Sequence, residues 1–250
     1  MLMYTQPASA ITPALIIYLI DASNSMNDAE GTQRRIEMVQ TALQAAFKDM
    51  VRRSMRDGII QRRYKIALLA YNDRITDVLG GIRDLPDALQ EGLPTIETGG
   101  ITDMAAGFTV VEELLTAHLA EYEECPAPLI CHLTDGLFTT KDPSPIVKRI
   151  AAMQVRDGAV LVENIYMAQD MLRVMPKHWQ EWKGVQRPQD LNDDYARFLF
   201  HLSSPIPESY RQNLNSYNYQ LQAGAVLFFP GAHSELMRLA FAISTATQMK

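Results

Sequence analysis

The feature that most limits how this chain can fold is a set of short, unbroken apolar runs separated by stretches with helical spacing. Residues 14–20 read A-L-I-I-Y-L-I, 65–71 K-I-A-L-L-A-Y, 128–133 P-L-I-C-H-L, 159–167 A-V-L-V-E-N-I-Y-M and 225–229 A-V-L-F-F. A strand with one wet face alternates apolar and polar residues; a continuous run marks a strand covered on both faces. Between the runs, Ile36, Val39, Leu43, Phe47 and Met50 recur at three- and four-residue spacing. Met104, Phe108, Val111, Leu114, Leu115 and Leu119 do the same in a long helix expected to begin near Thr102. Ser144-Pro145 opens another, with Ser as the expected N-cap and Pro at the first helical position, and a terminal helix is expected from Ser234. Strands alternating with helices predict an α/β fold with a mostly parallel central sheet, right-handed crossovers and helices on both faces. R-I-T-D-V-L at 74–79, following the turn residues N-D, is expected to return as one short antiparallel edge strand.

Residues 168–222 break this rhythm with a connection too long to be a simple loop. They hold an expected helix, D-Y-A-R-F-L-F-H-L at 194–202, and the aromatics Trp179, Trp182, Tyr195, Phe198 and Phe200. The stretch lacks the apolar periodicity of a separate core, so the reading is a single domain over 12–250 carrying an insertion at about 168–222, with 1–11 as an N-terminal extension. Packing onto the domain is the expected role of those aromatics, and interface anchoring is the other.

Composition removes several classes of function. The net charge is −6 and no run of Lys or Arg stands out, which argues against a nucleic-acid surface. The apolar run at 14–20 is far short of the ~20 residues that span a bilayer. The A-S-A stretch at 8–10 precedes that run, the reverse of a signal peptide, so the expected location is the cytoplasm, with no membrane partner. Cys125 and Cys131 are separated by extended chain spanning ~20 Å, too far for a disulfide, and no Cys/His spacing suggests zinc.

Three polar clusters fall at or beside strand ends, where open parallel sheets bind ligands. Asp21, Ser23 and Ser25 form D-A-S-N-S after the first run, Thr102 lies in G-G-I-T-D at 99–103, and Asp135 lies in L-T-D-G at 133–136. Each alone reads as a turn or a helix cap. Together they offer carboxylates and hydroxyls, hard oxygen donors suited to Mg²⁺, Mn²⁺ or Ca²⁺ and poor for zinc.

These three motifs, in this order, make the chain resemble the von Willebrand factor type A (vWA) domain and its metal-ion-dependent adhesion site. The resemblance covers residues 14–167 together with the last strand and helix. It implies a Rossmann-like fold with a divalent ion, usually Mg²⁺, held by Asp21, Ser23, Ser25, Thr102 and Asp135, some of them through water. Asp28 sits where some relatives begin an adjacent metal site, but its neighbours Asn27 and Ala29 do not extend that pattern. The implied function is a protein–protein interaction module in which a partner's Glu or Asp completes the metal shell, and not an enzyme. Residues 193–208 make the chain similar to bacterial cytoplasmic tellurite-resistance-type members, which implies an intracellular signalling or stress-response complex. The implied partner is a serine/threonine kinase, a metal-dependent phosphatase or an AAA+ ATPase. The alternative is a metal-dependent hydrolase or phosphatase on a similar sheet. Against it, Ser23 stands where such an enzyme would carry a second carboxylate, no nucleotide-binding or serine-hydrolase motif is present, and His132 lies inside an apolar run.

Overall fold

The computed structural model describes residues 4–90, 92–93, 95–136, 138–215 and 218–243. Residues 1–3 of the extension, 216–217 of the insertion and 244–250 of the terminal segment lie outside them. The central sheet contains β1 (Ala14–Asp21), β2 (Tyr64–Tyr71), β3 (Ile75–Asp77), β4 (Arg83–Asp84), β5 (Leu129–Thr134), β6 (Leu161–Tyr166) and β7 (Phe228–Pro230). Its helices are α1 (Arg35–Ser54), α2 (Leu85–Gln90), α3 (Met104–His118), α4 (Ser144–Ala152), α5 (Asp194–Leu202), α6 (Glu208–Asn215) and α7 (Ser234–Ile243). The strand order is β7-β6-β5-β1-β2-β3, with β4 also paired to β2.

All eight residues of β1 are buried, as the continuous apolar run requires of a strand covered on both faces. It runs parallel to β2, with Asp21 opposite Tyr71, and parallel to β5, with Leu19 opposite His132. β6 and β7 extend the sheet in the same direction. β3 pairs antiparallel with β2, as expected for 74–79. A second antiparallel strand, β4, was not anticipated: two residues are too few to show any periodicity.

One face of the sheet is closed by α1 and α7, where the Tyr18 ring lies 5.8 Å from Phe47 and 5.9 Å from Phe241. The opposite face is closed chiefly by α3. A Cβ at Gly107 would meet Tyr71 at 3.1 Å and Leu19 at 3.3 Å, so the missing side chain lets this helix sit directly on β1 and β2. Phe108, in the next position, packs on His132 with centroids 4.8 Å apart.

One helix start falls close to its expected place and another differs from expectation. α3 begins at Met104 and its cap is Asp103, which accepts a hydrogen bond from Ala106 N at 3.1 Å, so Thr102 is not the capping residue. α4 begins at Ser144 itself, with Pro145 in the first turn. Ser144 is not its N-cap, because Asp142 Oδ1 already accepts from both Ser144 N and Ser144 Oγ, at 2.8 and 2.6 Å. Ala159 belongs to a two-residue hairpin rather than to β6, and β7 starts at Phe228 rather than at Ala225.

In the stretch 168–222, α5 matches the expected 194–202, while α6 carries too little apolar periodicity to be seen in advance. Aromatic side chains from this segment lie against the sheet and its loops. Trp182 meets Phe229, Phe198 meets Phe138 and Tyr195 meets Tyr166, each at 5.4 Å. Both cysteines are buried and free. Glu163 on β6 is buried opposite Cys131, and burial pushes its carboxyl well above the ordinary range, which keeps it a neutral acid. Among the described residues no helix is long and apolar enough to cross a membrane.

Because Phe108 is fully buried between α3 and the sheet, Phe108→Ala is expected to lower the unfolding free energy by about 3–5 kcal/mol in urea titrations. A loss below about 1 kcal/mol would contradict this packing.

Candidate metal centre

β2 lies on one side of β1 and β5 on the other, so the strand order reverses at β1. In open α/β sheets the crevice beyond the carboxyl ends at such a reversal is the usual ligand site. Asp21 closes β1 and Thr134 closes β5, which brings D-A-S-N-S and L-T-D-G to the same crevice.

Backbone hydrogen bonds hold the three loops together. Gly99 N donates to Ala22 O at 2.8 Å and Asn24 N to Gly100 O at 3.2 Å, binding the second loop to the first. Thr139 donates to Thr102 O through its backbone N at 3.0 Å and its hydroxyl at 3.1 Å, binding the third loop to the second. Gly100 has φ +72, and a Cβ there would run into the Asp73 carboxylate, so this turn needs glycine.

Four of the five expected ligands share one hydrogen-bond network. Ser25 Oγ donates to Asp135 Oδ1 at 2.8 Å and lies 3.1 Å from Ser23 Oγ. With its single proton committed to Asp135, Ser25 accepts in the contact with Ser23. Ser23 N donates to Asp21 Oδ1 at 2.9 Å, and Thr134 Oγ1 donates to Asp21 Oδ2 at 2.8 Å. Thr102, the fifth, is buried, and its carbonyl accepts from Thr139 in the third loop. Burial pushes the Asp21 carboxyl up to about 6, against the lowering effect of hydrogen bonds from Ser23 and Thr134. A buried carboxylate with this tendency to hold a proton gains from a nearby cation.

The chemistry of this donor set fits a hard divalent ion. With its proton on Asp135 and one lone pair facing Ser23, the Ser25 hydroxyl keeps a second lone pair of the kind a hydroxyl ligand offers. Among the described residues no group of three or more His, Cys, Asp or Glu side chains is arranged to hold a metal. The set of two carboxylates and three hydroxyls is of another kind, and leaves room for water or for an outside ligand.

Residues that the sequence reading did not single out for the site surround it. Tyr71 OH lies 3.4 Å from Asp21 Oδ2 and 2.9 Å from His132 Nε2; His132 Nδ1 lies 2.7 Å from Asn164 Oδ1; and Asn164 Nδ2 donates to Ser203 Oγ at 2.9 Å. This polar chain runs from Asp21 across β2, β5 and β6 to Ser203, just past the end of α5. Burial lowers the His132 pKa to about 4, which keeps the ring neutral and accords with its expected place in the core. Arg35, at the first position of α1, reaches Asp135 Oδ2 at 2.9 Å and Glu30 Oε2 at 3.2 Å. Its one legible signal was a cation in the first turn of a helix, where the macrodipole disfavours it unless an anion is near.

The von Willebrand factor type A domain family matches residues 16–138, a span that contains all five candidate ligands. Residues 16–138 are a vWA domain. Among solved structures, the vWF domain of the type V pili tip protein Mfa5 from Porphyromonas gingivalis aligns at 20% identity and TM-score 0.39, over 51% of this chain and 39% of that one. A longer Mfa5 structure is covered over only 20% of its length. The SpRpn10 VWA domain aligns at 15% identity and TM-score 0.45, over 63% and 76% of the two chains. Proximal thread matrix protein 1 from the mussel byssus, solved with a zinc-occupied MIDAS motif, aligns at 18% identity and TM-score 0.44, over 65% and 37%. Comparison of the sequence with curated proteins gives no match.

Two outcomes follow from the vWA site's surroundings. Gly100→Ala is expected to cost about 1–3 kcal/mol, because a non-glycine residue in that left-handed turn is strained and meets Asp73. The second concerns His132. Its pKa is lower in the folded than in the unfolded chain, so its contribution to stability is intact above about pH 6.5 and is lost as pH falls towards 4. The loss is on the order of 3 kcal/mol. Asp21 titrates in the opposite sense, so the histidine part is read as the difference between wild type and His132→Phe in urea titrations at pH 7 and pH 4.5. Equal pH dependence in both proteins would contradict a neutral buried histidine.

Proposed function

We propose that this vWA domain is a divalent-metal-dependent interaction module that captures an acidic side chain of a partner protein. The observation that carries the reading is the single network joining Asp21, Ser23, Ser25 and Asp135 at the reversal of strand order. Asp21, Ser23, Ser25, Thr102 and Asp135 would hold the ion, with Mg²⁺ the best match to a hydroxyl-rich, partly hydrated site and Mn²⁺ or Ca²⁺ compatible with it. A bound divalent ion supplies an electrophilic vacancy that a carboxylate can fill.

The protein's own residues prepare that capture. Thr134 and the Ser23 amide fix the Asp21 carboxylate, Ser25 fixes Asp135, and the backbone ties of Gly99 and Asn24 hold the rim of the cleft. His132 is buried and neutral, with both ring nitrogens engaged, so it does not serve as a general base. The finer proposal places the module in an intracellular signalling or stress-response complex. Its partner there would be a serine/threonine kinase, a metal-dependent phosphatase or an AAA+ ATPase. This placement follows from the sequence resemblance.

Isothermal titration with Mg²⁺, Mn²⁺, Ca²⁺ and Zn²⁺ tests the site. Wild type is expected to bind one divalent ion, and Asp21→Ala to lose the signal while keeping its circular dichroism spectrum. Equal binding by both proteins would refute the assignment.

A further inference from the structure

Arg35 occupies an unusual place for a cation. It stands at the first position of α1, beside a site expected to hold a divalent ion. Its Nη1 lies 2.9 Å from Asp135 Oδ2 and 3.4 Å from the Ser25 carbonyl, and its Nε lies 3.2 Å from Glu30 Oε2. The partners are not surface groups. The Asp135 side chain is 0% exposed and that of Glu30 7%, while Arg35 keeps 22%. Glu30 is held in turn by Gln169, which reaches it from the start of the insertion. Asp28 lies at the rim, 3.8 Å from Arg35 Nη1.

Both oxygens of Asp135 therefore carry a donor: Ser25 on Oδ1 and a guanidinium on Oδ2. A carboxylate already paired with a fixed positive charge is a weaker ligand for a second cation, and the two cations repel each other in a partly buried setting. Arginine suits this task because it stays charged and its planar fork can hold two carboxylates at once. The opposing role is purely structural, in which Arg35 only ties α1 to the loops.

We propose that Arg35 is a resident counter-cation that occupies Oδ2 of Asp135, competes with the divalent ion and holds the site's metal affinity low. The proposal rests on the metal-dependent reading above and deepens it. Metal loading then depends on how firmly Glu30 and Gln169 retain the guanidinium. The β-hairpin at 29–34 and the insertion thus become part of the affinity control.

Titrations of Mn²⁺ into wild type, Arg35→Gln, Arg35→Lys and Asp21→Ala test this, with thermal unfolding in chelator as the folding control. Loss of the charge in Arg35→Gln is expected to tighten Mn²⁺ binding by on the order of tenfold or more. Arg35→Lys, which keeps the charge but not the fork, stays near wild type. A structural role predicts instead that both variants bind more weakly. If Arg35→Gln leaves buried carboxylates uncompensated and does not fold, the pair Arg35→Gln with Glu30→Gln removes one of them and must show the same tightening. Adding Asp21→Ala to Arg35→Gln must abolish the gain. If it does not, the ion has merely replaced the guanidinium between Glu30 and Asp135, and the competition account fails. Unchanged or weaker binding by Arg35→Gln, alongside loss in Asp21→Ala, overturns the role of Arg35 and leaves the metal site standing. No binding by any variant overturns both. Binding that appears only in Arg35→Gln, and still requires Asp21, supports the competition.

Discussion

A carboxyl group with no solvent exposure sits at the end of the central strand, and the architecture around it follows from that burial. Transferring an ionised carboxylate out of water costs several kcal/mol unless hydrogen bonds or an opposite charge offset it. Asp21 receives two firm hydrogen bonds, from Ser23 N and Thr134 Oγ1, and still carries a pKa raised to about 6. The local protein environment therefore leaves part of the cost uncompensated. Burial here also follows from the fold. Asp21 continues an eight-residue strand flanked by parallel partners on both sides, and Gly107 brings α3 onto the same face.

The electrostatic arrangement around the crevice divides into two parts. On the Asp21 side the neighbours are neutral: hydroxyls, the tyrosine Tyr71, and a histidine kept uncharged by burial. On the Asp135 side a guanidinium joins two buried carboxylates. The first half favours cation entry and the second already contains a cation. Under the proposed metal-dependent reading, such a site suits reversible loading better than a permanent structural metal, which would be enclosed by charged or thiolate ligands. The stretch 168–222 touches both halves. Gln169 meets Glu30, and Ser203, just past the end of α5, closes the polar chain that begins beside Asp21.

Much of this was legible in the sequence because the signals were strong and local. The continuous apolar runs gave the parallel sheet, and three- and four-residue spacing gave α1 and α3, with Ile36, Val39, Leu43, Phe47 and Met50 all buried. Oxygen-bearing residues after two of those runs marked the crevice. Short or long-range features were not legible. β4 is two residues long, and the N-cap position of α4 is Pro143, which has no capping side chain to mark it. Arg35, Tyr71 and Asn164 meet partners 32 to 100 residues away, for example Asp135, Asp21 and His132. Their roles arise only when β1, β2, β5 and β6 are side by side. Thr102 and Asp103 both read as helix caps on local grounds, and Asp103 takes that role.

The central claim is that separated oxygen donors from three loops meet around one divalent cation. Anomalous scattering from a crystal of the protein grown with Mn²⁺ tests it most directly. The account predicts a single manganese peak in the crevice bounded by Asp21, Ser23, Ser25, Thr102 and Asp135. A crystal with no manganese there, or with manganese only on exposed carboxylates elsewhere, would contradict it.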